Sequence, residues 1–137
     1  MSKKVAVIRR ASFNAAHKLW NENWSVEKNK DVFGLCANEH FHGHNYHLEV
    51  KITGEVEAET GYVIDLKIVK SIIKEEVEER FDHKNLNLDT EEFKYLNPTA
   101  ENIVIAIYDL IRARLDSKFD LHIKLWETEK NGVEYPV

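Results

Sequence analysis

A single cysteine, Cys36, excludes an internal disulfide in this 137-residue chain and suits a reducing compartment. No run of about 18 or more apolar residues occurs, which argues against a membrane-spanning helix. The opening residues, MSKKVAVIRR, pass into strand-like alternation without the apolar core of a signal peptide, so a cytoplasmic protein is expected. Positive charge is in short supply. Lys and Arg number 19 against 24 Asp and Glu, and the net charge of −5 disfavours a general nucleic-acid-binding surface. Repeats, low-complexity tracts and linkers are missing too. With 43% hydrophobic and 31% charged residues, the composition predicts one globular domain over residues 1–137, large enough to bury its own core.

Histidine is what the chain does have. Two of its seven histidines flank a glycine in His42-Gly43-His44, six residues beyond Cys36. The following residues, YHLEVKITGEV, alternate and are rich in Val, Ile and Leu, which predicts a strand over His44–Val56. Residues two apart on a strand share a face, so His42 and His44 project side by side at its entrance, with Gly43 leaving room opposite. Two neutral imidazoles make a half-site for zinc. A third protein ligand would leave an open coordination position, the catalytic arrangement. Two ordinary surface or core histidines would show the same spacing, so both readings stand at this point.

Along the chain, a first strand runs from Lys4 to near His17. Leu19–Leu35 is a polar loop carrying Trp20, Trp24 and Phe33, a candidate lid or a packed connection. Asp65 is placed to cap a helix over 65–80, with Leu66, Val69, Ile73 and Val77 on its apolar face. Residues 81–96 look irregular. Thr99, after Asn97-Pro98, is placed to cap a second helix reaching about Leu115. A third strand, Leu121–Trp126, and a fourth, Val133–Val137, are joined across Asn131-Gly132. This ββααββ order predicts an α+β fold, a four-stranded antiparallel sheet with two helices on one face. Such a sheet has two open edges, and pairing between subunits is expected to cover them.

Four more features lie scattered. His17 is the natural third ligand, because the end of one strand neighbours the start of the next in an antiparallel pair; alone it would also pass for a satisfied polar residue. Cys36 is a small buried residue, or a base if a cation lowers its pKa. Asp82-His83 is an ordinary loop pair, or an orienter and a proton carrier. Glu127 is an exposed turn residue, or an anchor for a ligand with paired N–H donors.

Together these pieces resemble a known family. SFNAAHKL, VFGLCANEHFHGHNY, TGYVIDLKIVK, FDHKNLN, NPTAEN and LWET occur in order over residues 12 to 128. They resemble the 6-pyruvoyltetrahydropterin synthases and the related 6-carboxytetrahydropterin synthases of the queuosine pathway. The resemblance implies a tunnelling fold (T-fold) whose sheets join into an oligomeric barrel. It implies trimers that stack as a homo-hexamer, with active sites between subunits. It also implies a zinc-dependent lyase (Zn2+ as cofactor) that acts on 7,8-dihydroneopterin triphosphate and eliminates triphosphate. By position, His17, His42 and His44 match the zinc ligands, and Cys36 the proton-transferring cysteine with its partners Asp82 and His83. Glu127 matches the pterin anchor, and Thr99 lies in the pocket-lining segment.

Five residues separate Cys36 from His42, and the loop before Cys36 is long; both are similar to the 6-pyruvoyl type of tetrahydrobiopterin biosynthesis. The 6-carboxy reaction, which releases acetaldehyde, is the alternative. Glu39 sits where some branches place a glutamate base, so it either assists Cys36 or is merely solvated. A non-catalytic pterin-binding oligomer is a rival reading. A zinc hydrolase is another, although no HExxH-type base accompanies the histidines.

Overall fold

The computed structural model describes residues 3–137. Its two long strands, β1 (Lys4–His17) and β2 (His42–Glu55), pair antiparallel from Lys4 opposite Glu55 to His17 opposite His42. β3 (Lys84–Asn85) runs parallel to β1 at Ala15 and Ala16. β4 (Asp120–Trp126) pairs with β2, and β5 (Gly132–Tyr135) pairs with β4, both antiparallel. The sheet order is β3-β1-β2-β4-β5.

Alternation decides which face meets the core. Phe13, Ala15 and His17 of β1, Tyr46, Leu48, Val50 and Ile52 of β2, and Leu121, Ile123 and Leu125 of β4 are buried. Onto that face pack α2 (Leu66–Ile73) through Val69, Ile72 and Ile73, and α5 (Ala100–Arg112) through Ile103, Val104, Ile107 and Ile111. Each such side chain contributes about 1.5–3 kcal/mol of transfer free energy. The α+β arrangement expected from the sequence is therefore present, with helices over one face of one sheet.

Four details differ from the sequence reading. The sheet has a fifth strand, because the chain after α2 folds back along the free edge of β1. There the Asp82 carboxylate accepts the Asn14 N–H at 2.8 Å, and the His83 N–H donates to the Asn14 carbonyl at 2.6 Å. Helix α2 continues through a π turn (Lys74–Glu78) into α3 (Glu79–Phe81), which keeps Val77 and Phe81 in the core while Glu75 and Glu76 face Arg114. The long loop holds a helix, α1 (Val26–Phe33). Its Val26 and Val32 are exposed, and its buried residue is Asn29. That side-chain amide donates to the Asn21 and Ser25 carbonyls and accepts the Asn21 N–H, a polar anchorage that an apolar-stripe search does not detect. A short helix, α4 (Leu86–Asp89), lies in the segment read as irregular.

The outer edge of β1 is paired only at Ala15 and Ala16 among the described residues. No helix among them is long and apolar enough to cross a membrane.

Candidate metal centre and adjoining pocket

Strand register assembles the histidines. His17 lies directly opposite His42, and His44, two residues further along β2, lies opposite Ala15. The ring centroids are 4.5 Å apart for His17–His42, 5.1 Å for His17–His44 and 4.9 Å for His42–His44. One ligand nitrogen from each ring falls within 4.8 Å of the others. A Cβ built on Gly43 would make only an ordinary 3.5 Å contact with the Ala15 carbonyl, so glycine is not sterically required there.

The nitrogens have nothing else to bind. Nε2 of His17, both ring nitrogens of His42 and Nε2 of His44 are buried without a hydrogen-bond partner. A buried polar group left in that state costs about 1–3 kcal/mol. A cation with a liking for imidazole would satisfy one nitrogen on each ring, so the residues present fit a metal ion. His17 also shows which nitrogen is available. Its Nδ1 lies 2.7 Å from the Pro98 carbonyl oxygen, which can only accept, so that nitrogen carries the proton and Nε2 presents a lone pair to the cluster. The Tyr46 hydroxyl is 3.4 Å from the same Nδ1, and its ring stacks on Phe13 at 4.8 Å.

Burial pushes the His17 pKa down to about 4, with the neighbouring His42 and His44 charges adding to the effect against the Pro98 carbonyl. Burial, followed by the His44 charge, also lowers His42. Both rings are consequently neutral at pH 7, the state a metal requires.

Glu127, just past β4, brings Oε1 to 3.8 Å from Nε2 of His44 and Oε2 to 4.0 Å from Nε2 of His17. Its N–H donates to the Asn131 carbonyl at 3.1 Å, closing the turn. The turn needs Gly132, where a Cβ would come within 2.6 Å of the Trp126 ring. Glu127 lines a pocket of 260 Å³ with Leu19, Thr99, Glu101, Asn131 and Val133. Thr99 caps α5, its hydroxyl accepting the Asn102 N–H at 3.2 Å.

Cys36 sits in a single turn of 3-10 helix, Gly34–Ala37, half-buried. Its carbonyl accepts the Leu19 N–H at 2.8 Å, tying this turn to the chain just beyond His17. Burial, and then the Glu127 charge, push the thiol up. Asp82 and His83 pair through Oδ2 and Nδ1 at 2.9 Å, but the His83 side chain is 83% exposed and has no hydrogen bond to Cys36 among the described residues. The Asn14 N–H, and then His83, hold the Asp82 carboxyl below its ordinary range. Glu39 is exposed in the turn before β2.

The three histidines, Glu127 and Thr99 thus converge, Cys36 is tied to the same corner, and Asp82-His83 faces solvent at the β1 edge. Two contributors went unread in the sequence. Tyr46 lies two and four positions past His44 and His42 on the same strand face, a signal that was available. The Pro98 carbonyl has no side-chain signature at all.

The family model described as 6-pyruvoyl tetrahydropterin synthase matches residues 6–136. A 6-pyruvoyl tetrahydrobiopterin synthase of Dictyostelium discoideum is 41% identical over 135 residues, covering 98% of this chain and 98% of that one. A dihydroneopterin monophosphate aldolase of Pyrococcus furiosus is 37% identical over 132 residues, covering 96% of each. The solved structure of Caenorhabditis elegans 6-pyruvoyl tetrahydropterin synthase superposes with a TM-score of 0.92 at 36% identity, covering 98% of this chain and 96% of that one.

Proposed function

Because the chain belongs to the 6-pyruvoyl tetrahydropterin synthase family, we propose that it is a zinc-dependent lyase converting 7,8-dihydroneopterin triphosphate to 6-pyruvoyl-tetrahydropterin with loss of triphosphate. The observation that carries the reading is the set of partnerless imidazole nitrogens on His17, His42 and His44, one protein ligand short of a closed tetrahedral site. Zinc bound there supplies the Lewis-acid charge that acidifies carbon-bound protons of the substrate side chain.

The protein's own groups do the rest. Glu127 accepts hydrogen bonds from the 2-amino and ring N–H groups of the pterin, which fixes the bicycle in the pocket it shares with Thr99. Cys36 removes a carbon-bound proton, and Asp82-His83 carries protons for the internal redox transfer. A thiol raised by burial and a nearby carboxylate needs positive charge close by to act as a base. A cation held by His17, His42 and His44 would supply such charge at this corner. The exposed Asp82-His83 pair serves the cysteine of a neighbouring subunit, in a hexamer whose sheets pair along edges such as the open one of β1. A cytoplasmic site of action fits the lone Cys36.

Incubating zinc-loaded protein with 7,8-dihydroneopterin triphosphate and weighing the product tests the reading. An intact three-carbon diketone side chain, with triphosphate released, supports it. Acetaldehyde and a 6-carboxy product replace it with the carboxy-forming reaction, unchanged bound pterin with a binding oligomer, and simple phosphate release with a hydrolase.

A further inference from the structure

The turn that supplies the Pro98 carbonyl is itself held in place. Pro98 has its φ locked by its ring and restricts Asn97 to extended backbone, so few torsions remain to aim the carbonyl. The Pro98–Thr99 peptide plane is then pinned at both ends. Its oxygen meets Nδ1 of His17 at 2.7 Å, and its N–H donates to the Asn97 carbonyl at 2.8 Å. The same Asn97 carbonyl accepts a second hydrogen bond, from the side-chain amide of Asn102 at 2.9 Å, which occupies both of its lone pairs. Helix α5 does not need that second bond, because Thr99 already caps it through the Asn102 backbone N–H. The amide of Asn102 therefore holds the turn and not the helix.

We propose that Asn102 is a positioning residue for the histidine centre. Its side-chain amide fixes the Asn97–Thr99 turn so that the Pro98 carbonyl accepts a hydrogen bond from the His17 Nδ1–H, which leaves Nε2 as the free lone pair facing His42 and His44. This rests on the metal-binding reading above. Asn102 belongs neither to the histidine cluster nor to the lining of the Glu127 pocket; it acts by selecting the tautomer and orientation of the buried ligand. Partners of this kind, one step removed from a metal ligand, typically govern affinity by roughly 10–100-fold.

The test compares Asn102→Asp, which replaces the donor by an acceptor of the same shape, with Asn102→Ser and with Ile107→Val. The last trims the buried face of α5 without reaching the turn. Long-range nitrogen–proton NMR on metal-free protein at alkaline pH reads the His17 tautomer, and chelator competition reads zinc affinity. The expected wild-type signal is a single Nδ1–H tautomer. Both Asn102 variants are expected to show mixed tautomers and zinc binding weaker by roughly 10–100-fold, with a shifted cobalt absorption band. Ile107→Val is expected to lower Tm while leaving tautomer and affinity alone. Wild-type tautomer and affinity in the Asn102 variants would overturn the inference, as would equal losses in Ile107→Val. If Asn102→Asp fails to fold, Asn102→Ser decides. Should the wild type bind no zinc, the metal reading fails, and the metal-free tautomer still decides the role of Asn102.

Discussion

The carbonyl oxygen of Pro98 lies 2.7 Å from Nδ1 of His17, across 81 residues of sequence, so a turn ahead of α5 orients the buried histidine of the triad. The histidine cluster, the pocket of Glu127 and the lowered pKa of His17 all meet at that corner.

Removal of one imidazole should empty the centre. After zinc loading and dialysis, the wild type is expected to retain the metal and His42→Ala to lose it, measured as metal content per chain. Retention of wild-type zinc by this variant would exclude the triad as the site.

Cys36→Ala should keep its metal yet lose at least ~10²-fold in turnover, the low end for a general acid–base group. An unchanged rate would take Cys36 out of the reaction and turn attention to Glu39.

Glu127→Gln removes the charge and one acceptor from the pocket floor. Hydrogen bonds to a charged group contribute about 1.5–3 kcal/mol, so pterin binding should weaken by roughly 10–100-fold. Fluorescence titration with a pterin measures this, alongside zinc content, which should stay unchanged. Wild-type affinity would rule out the anchor role.

The pH dependence has a definite sign. The folded, metal-free protein holds the His17 pKa down at about 4, while an unfolded histidine titrates near 6.5. Stability is therefore complete above about pH 6.5 and falls as pH drops towards about 4, because the unfolded chain takes up the proton first. The loss from this group has a ceiling of about 3 kcal/mol. Urea midpoints of the metal-free protein between about pH 7.5 and about pH 4.5 should show the fall, and His17→Gln should flatten it. An identical slope in that variant would assign the effect elsewhere.

Subunit sharing predicts complementation. Cys36→Ala and His83→Ala hexamers should each be nearly inactive, and co-refolding them in equal amounts should restore roughly a quarter of wild-type activity if each site draws on two subunits. No recovery would place the cysteine and the Asp–His pair in one subunit. A monomer by sedimentation at micromolar concentration would remove the shared site altogether.

What the amino-acid order determined by itself is local. The two-residue period of His42-Gly43-His44 puts both rings on one strand face, the stripes of Val69–Val77 and Ile103–Ile111 make two helices, and Thr99 caps the second. Tertiary structure decided what no local period encodes. Register placed His17 opposite His42, a polar side chain at Asn29 held a helix whose valines face solvent, and the backbone of Asn14 bound Asp82 and His83 so that the next residues, Lys84–Asn85, lie along β1 as a fifth strand. Periodicity reports which face a residue occupies. A backbone carbonyl such as that of Pro98 is the same in every residue type, so its partner follows only from how distant segments pack.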